Sequence, residues 1–397
     1  MLIAGLILTG VCVAAAVTWA VVYVNARAND RMLPDVGEGL PHAAEGPLPR
    51  VSVVLSMHNE ERDAPGCIAS LRAQDYPNLQ IVLSLDRCTD ATPTIAREAA
   101  AADPRVVMVE AEPREGWWGK CVPLDRGLRV ADGRWLLSID ADTRLDPTLI
   151  RAAVGLARHR GWDMIGVLPR LSCDRAFEAV VQPVATMQMM YMFSPLRINR
   201  ETDRRPFGLG PFMMFSRAAC DAAGLMDSVK DDIQEDVALA REIHRAGYRV
   251  GLASHGGLLT CRMFDGFGAF YHGWKRIFTR ISGNRVGRLR KYALRLALLG
   301  VCMPAAQAAA LGRGIAAIAA AALAAGAALL AAAGVAFAAQ LLSIDRIYRR
   351  GGLPGWARLT YPLGFAVIAW LLHNAAASLK AGKPVRWAGR EYTLKPR

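Results

Sequence analysis

Acidic side chains nearly vanish from the last third of this 397-residue chain: residues 262–397 hold 20 Lys and Arg but only Asp265, Asp345 and Glu391. The rest of the chain is slightly acidic, so the formal net charge of +13 belongs to one end. A basic region interleaved with apolar runs points to anionic lipid headgroups and the positive-inside rule, and away from nucleic acid. Charge of either sign is missing from residues 1–24 (MLIAGLILTGVCVAAAVTWAVVYV). A cleaved leader opens on basic residues and has a shorter apolar core, whereas about 20 apolar residues cross a bilayer, so a retained anchor is expected. The eight cysteines form no CxxC pair and no zinc spacing, which excludes a zinc ribbon and fits reduced thiols on the cytosolic side. No internal repeat is present. What the chain does have is apolar mass: 53% hydrophobic residues and a mean hydropathy of +0.20, with the excess at the two ends.

Residues 25–50 read as a Pro/Gly-rich linker that lifts a soluble domain off the membrane. From Val51 short apolar runs alternate with helical ones. Strands are predicted at 51–57, 81–85, 106–111, 135–139, 164–168 and 212–216, with helices such as 89–102 and 147–160 between them. That alternation predicts an α/β fold with parallel pairing and ligands at the carboxyl ends of the strands. Within 263–292 an aromatic set (Phe267, Phe270, Tyr271, Trp274, Ile277, Phe278, Ile281) opposes Lys275, Arg276, Arg280, Arg285 and Arg288, the pattern of a helix lying in the membrane interface. Two or three spans are expected within 293–380, from 293–311, 315–342 and 359–379, followed by a basic tail at 381–397. Three spans set that tail across the membrane from the catalytic domain, against the positive-inside rule. Two spans expose Arg346, Arg349 and Arg350 instead.

Five segments carry chemistry. Asp140-Ala-Asp142 ends an apolar strand, where two carboxylates share one hard cation and Mg²⁺ or Mn²⁺ bridges diphosphate oxygens. Ser56–Glu60 and Leu85–Asp90 end the first two strands; Thr89 and Asp90 cap the next helix, which leaves Asp86 for binding nucleoside. Gly116-Trp-Trp-Gly-Lys120 offers glycines for close approach and a point charge for phosphate. Asp231-Asp-Ile-Gln-Glu-Asp236 precedes a helix and either favours its N-terminus or supplies a general base for an acceptor hydroxyl.

In this order and spacing the segments resemble the family-2 glycosyltransferases of the GT-A fold. VSVVLSMHNEE is similar to their opening strand, LSLDRCTD to the second-strand aspartate motif, GWWGKCVPLDRGL to the Gly/Lys segment, SIDADT to the metal-binding DxD and QEDVALAREIHRAGYRV to the catalytic-base helix. The ending PVRWAGREY resembles the WxGRxY of the ceramide, hopanoid and carotenoid glucosyltransferase branch. That resemblance implies a GT-A catalytic domain over 51–262, transmembrane helices at both ends, and inverting transfer of a sugar from a nucleotide-sugar donor, a UDP-hexose, to a membrane lipid. It places the enzyme in the cell membrane as a multi-pass protein, with the catalytic domain cytoplasmic.

The implied roles are Asp236, with Glu235 beside it, as catalytic base; Ser56, Glu60, Asp86, Lys120 and Asp140 for the donor; and Asp140 and Asp142 for the metal. Trp274 and Arg276 are candidates for acceptor or interface contacts, because His272-Gly-Trp-Lys-Arg276 stands where many membrane relatives have QxxRW. Absence of that motif weighs against a polysaccharide synthase, the first alternative. A non-catalytic membrane scaffold that kept the fold is the second, and a metal-dependent phosphohydrolase would want a denser His/Asp cluster.

Overall fold

The structure, a computed structural model, describes residues 2–200, 206–387 and 390–396. Its centre is a seven-stranded mixed sheet. The chain supplies β1 (Val51–Met57), β2 (Leu79–Asp86), β3 (Val106–Ala111), β4 (Trp135–Ile139), β5 (Thr143–Leu145), β6 (Met164–Leu168), β7 (Arg170–Leu171), β8 (Met213–Ser216), β9 (Val250–Ser254), β10 (Leu259–Cys261), β11 (Val385–Trp387) and β12 (Arg390–Tyr392). The large sheet has the order β3-β2-β1-β4-β8-β6-β9, and β5-β10-β7 form a small second sheet. β1 and β2 are buried along both faces, which is why they read as continuous apolar runs rather than alternating ones.

Pairing is parallel for β3-β2-β1-β4 and for β6-β9, but β8 runs antiparallel to both β4 and β6. Uniform parallel pairing therefore fails at 212–216. The chain reaches β8 from residues 206–212, which lie over the carboxyl end of β4 beside Asp140, so the strand must run back the other way.

Helices follow in chain order: α1 (Leu2–Met32), α2 (Leu40–Ala43), α3 (Ala64–Arg72), α4 (Thr92–Ala102), α5 (Cys121–Val130), α6 (Leu149–Arg160), α7 (Ala176–Met192), α8 (Pro195–Ile198), α9 (Arg217–Ala222), α10 (Glu235–Arg245), α11 (Phe267–Ile281), α12 (Val286–Ala297), α13 (Met303–Ala319), α14 (Leu323–Arg350) and α15 (Tyr361–Lys380). The segment taken as a linker is docked instead. α1 continues to Met32, Asp35 bridges Ser254 in β9, and His42 stacks on His159 with ring centroids 3.6 Å apart. Gly39 lies against α6 so closely that a Cβ would stand 2.0 Å from the Ala152 carbonyl; this glycine serves close packing, not flexibility.

Among the described residues, four stretches are long and apolar enough to cross a membrane: Ile3–Met32, Val286–Ala319, Leu323–Arg350 and Gly355–Lys380. α1, α13 and α14 form a bundle around Cys12, Ala310, Leu329 and Ala333. Asp30 pairs with Arg346 and Arg350, so α1 and α14 run parallel, with their C-terminal ends together. α15 packs elsewhere, against α7, α11 and α12; Gly364 meets the Val180 carbonyl and Phe365 meets Gly300.

The single amphipathic helix expected over 263–292 is two helices. Gly283 and Asn284 take left-handed backbone, with φ of 72° and 57°, and they turn the chain between α11 and α12. Phe270, Trp274 and Phe278 are buried against α7 and α15 inside the protein, so this aromatic face is spent on protein packing rather than on lipid. Part of the tail motif, Ala388 and Gly389, lies outside the described residues.

Candidate active site

Carboxylates from four places converge at the carboxyl ends of β1 and β4. Parallel strands end in loops on one side of the sheet, so the residues after β1 and β4 meet there. Asp140 leaves β4, and its backbone carbonyl accepts from Thr143 Oγ1 at 2.7 Å. Lys120 is the N-cap of α5, and its Nζ lies 2.5 Å from Asp140 Oδ1 and 3.3 Å from Glu235 Oε1. One lysine thus joins the Gly/Lys segment, the DxD segment and the start of α10. Burial works against its charge, but Asp140 and Glu235 outweigh it and hold the ammonium above its ordinary range.

Asp142 sits deeper. Its pKa is raised by burial first and by Asp140 second, and its Oδ1 is a buried oxygen with no partner in the protein. Glu60 is pushed up to about 8 by burial, then by Asp142 and Asp140. Glu235 and Asp236 are raised as well, again chiefly by burial. Asp236 is gripped by backbone: its Oδ2 accepts from Gly210 N–H at 2.8 Å and its Oδ1 from Val237 N–H at 2.7 Å. Carboxylates outnumber the cations Lys120 and Arg276 here, which is the electrostatic setting that attracts a hard cation. Among the described residues, no three His, Cys, Asp or Glu side chains converge to cage a metal alone. Two carboxylates completed by diphosphate oxygens is the arrangement that such a setting accommodates.

Crosslinks join the turns after β1 and β2. Asn59 Oδ1 accepts from Thr89 N–H at 2.8 Å, and Asp90 Oδ1 accepts from Thr92 N–H at 3.0 Å; the N-cap of α4 is Ala91, so Thr89 and Asp90 do not cap this helix as expected. Asp86, the carboxylate left for binding nucleoside, is buried and accepts from Arg87 Nε and Nη2 at 2.8 and 2.7 Å. The Ser56 hydroxyl is buried without a partner.

Trp274 lies within the protein and donates to Gln182 Oε1 at 3.3 Å. Arg276 belongs to the site itself: burial lowers it to about 10, against the pull of Glu235, Asp140 and Asp236. Gly208 and Gly210 were missed in the sequence. A Cβ on Gly208 would stand 2.0 Å from the Asp236 carbonyl, and one on Gly210 would stand 2.6 Å from Asp140 Oδ2. The signal was present in Phe207-Gly-Leu-Gly-Pro211, two glycines ahead of a strand.

The model of the family described as "Glycosyl transferase family 2" matches residues 52–224, the segment that carries the nucleoside turns, Lys120 and both DxD aspartates. Residues 52–224 are a family-2 glycosyltransferase domain. Among curated proteins, the chain is 31% identical over 99 residues to the putative glycosyltransferase EpsH of Bacillus subtilis strain 168, covering 25% of this chain and 28% of that protein. It is 28% identical over 229 residues to the glycosyltransferase AglD of Haloferax volcanii, covering 54% of this chain and 34% of AglD. The matches thus span about a third or less of these relatives' length. Among solved structures, the mannosyltransferase PcManGT of Pyrobaculum calidifontis, in complex with GDP-Man and Mn²⁺, superposes with a TM-score of 0.51 at 20% identity, over 94% of this chain and 99% of that one. The likeness establishes the GT-A fold of the family-2 domain.

Proposed function

We propose that the chain is an inverting, metal-dependent hexosyltransferase that moves a sugar from a nucleotide-sugar donor, a UDP-hexose, to a hydroxyl of a membrane lipid at the cytosolic face. One observation carries the lipid acceptor. A cavity of about 1180 Å³ is lined at one end by Asp236 and Gly210 and elsewhere by Val21 of α1, Met187 of α7, Leu298 and Met303. The proton-accepting carboxylate therefore opens into apolar space bounded by helices long enough for a membrane, and such space suits a hydrocarbon chain better than a soluble sugar.

Asp140 and Asp142 would hold Mg²⁺ or Mn²⁺ on the donor diphosphate, and the partnerless Asp142 Oδ1 fits a cation ligand. The ion would neutralise charge that develops on the leaving diphosphate. Lys120 supports the same phosphates, while Glu60, Asp86 and Ser56 hold the nucleoside. Asp236, oriented by Gly210 and Val237, takes the proton from the acceptor hydroxyl as it attacks the anomeric carbon from the face opposite the leaving group, which inverts that centre. Glu235, tied to Lys120, acts beside it. Arg276 adds positive charge next to these carboxylates. Trp274 shapes the acceptor cavity, which it lines.

The membrane arrangement follows the same reading. α1, α12–α13 and α14 cross. α15 begins beside the Arg358–Asp345 pair, and the strands after it reach Trp118 of the catalytic domain. With both ends of α15 on the catalytic side, this helix and the turn before it lie in the interface and present Trp356, Leu359, Leu363 and Trp370 outward to lipid. Arg346, Arg349, Arg350 and the basic tail then share the cytosolic side, as the positive-inside rule asks.

The test is transfer by the purified full chain in nanodiscs, with labelled UDP-glucose or GDP-mannose and a total lipid extract. Metal-dependent label in the organic phase is expected. Label only in a water-soluble polymer, or transfer undiminished by excess EDTA, contradicts the reading.

A further inference from the structure

The segment after the last long helix crosses back to the donor loop. β11 and β12 pair antiparallel as a short hairpin, and Tyr392 at its end is 7% exposed. Its ring packs on Trp118 with centroids 5.4 Å apart, and its hydroxyl accepts the Gly119 N–H at 3.3 Å across 273 positions of sequence. The loop it touches is held otherwise by its own domain: Trp118 N–H donates to the Lys230 carbonyl at 2.6 Å and Cys121 N–H to the Trp118 carbonyl at 3.2 Å. Gly119, in left-handed backbone with φ of 60°, immediately precedes Lys120. Its N–H is thus the point of this loop that the tail secures.

We infer that Tyr392 is a positioning residue for the donor: the C-terminal hairpin clamps the Gly116–Lys120 loop and so fixes where Lys120 meets the diphosphate. This rests on the proposed role of Lys120 at the donor phosphates. A loop whose two glycines, Gly116 and Gly119, both have positive φ has little intrinsic rigidity, so an external hydrogen bond and a packed aromatic ring restrict it.

The experiment uses the full chain in nanodiscs, with UDP and GDP each titrated in the presence of Mn²⁺ and read by tryptophan fluorescence, alongside steady-state transfer. Tyr392→Phe keeps the ring against Trp118 and removes the acceptor oxygen; loss of one such hydrogen bond corresponds to about 3–10-fold. The expected result is a weakening of that size in nucleotide binding and in donor KM, with kcat, acceptor KM and melting temperature unchanged. A chain ending at Lys383 should weaken nucleotide binding further. Wild-type nucleotide affinity in both variants overturns the inference. A fall in melting temperature and kcat with donor KM unchanged assigns the tail a structural role only, and overturns it too. Failure of wild type to bind either nucleotide sinks the donor reading itself, a different outcome from any of these.

Discussion

Gly210 donates its backbone N–H to the Asp236 carboxylate across 2.8 Å, while the place its missing side chain would occupy is filled by Asp140 Oδ2, 2.6 Å from an ideal Cβ. A single glycine therefore aims the proposed base and leaves room for the metal-side carboxylate. The expected consequence is that Gly210→Ala folds, because the conflict is local, yet loses about 10²-fold in transfer, the order of loss that an ångström of misplacement brings. Rates near wild type would mean that Asp140 and Asp236 do not share one reaction centre.

Asp142→Asn should abolish transfer and leave nucleotide-independent folding intact, since it removes charge from a buried oxygen without changing size. The measurement is Mn²⁺ titration by isothermal calorimetry with UDP present. Unchanged Mn²⁺ affinity would remove Asp142 from the cation site.

Glu60 gives a pH prediction of definite sign. Its folded-state pKa, about 8, lies above the ordinary 4.5, so the folded state binds the extra proton. Cation-free protein should lose stability as pH rises from about 4.5 through about 8. Glu60→Gln removes that loss: its melting temperature in EDTA should exceed wild type at pH 8 and converge with it below pH 4.5. A variant less stable than wild type at pH 8 contradicts the electrostatic picture, and Glu60 would then be held by attractive contacts.

The α15 arrangement predicts that an epitope tag after Arg397 is shielded from antibody in intact cells, whereas one in the 320–322 turn is reached. Exposure of both tags would make α15 a true span.

Much of this was legible in the residues. β1, β2 and β4 showed as apolar runs because buried parallel strands carry no polar alternation, and the chemistry sat in the loops that end them. The DxD, Gly/Lys and acidic segments announced residue types, and the structure brought Lys120, Asp140, Glu235 and Asp236 together as neighbours. What stayed hidden depends on distant contacts. Nothing local in residues 33–43 reveals the groove on α6 that receives Gly39. The direction of β8 is set by a loop crossing the site. The aromatic face of α11 has the periodicity of a lipid-facing helix and of a protein-facing one alike, and only the presence of α15 decides between them. The pairing of Asp86 with Arg87 stayed hidden because the two are sequence neighbours, and local spacing alone does not show that their side chains meet.

The central claim is that Asp236 removes a proton from an acceptor bound in the apolar cavity. The direct measurement is single-turnover transfer by Asp236→Asn in nanodiscs, with nucleotide binding followed in the same preparation. General-base catalysis contributes about 10²–10⁴-fold, so transfer should fall by that factor while UDP affinity stays within twofold of wild type. Transfer at the wild-type rate, or a parallel loss of UDP binding, would contradict it: the first removes the base from Asp236, and the second moves Asp236 to the donor.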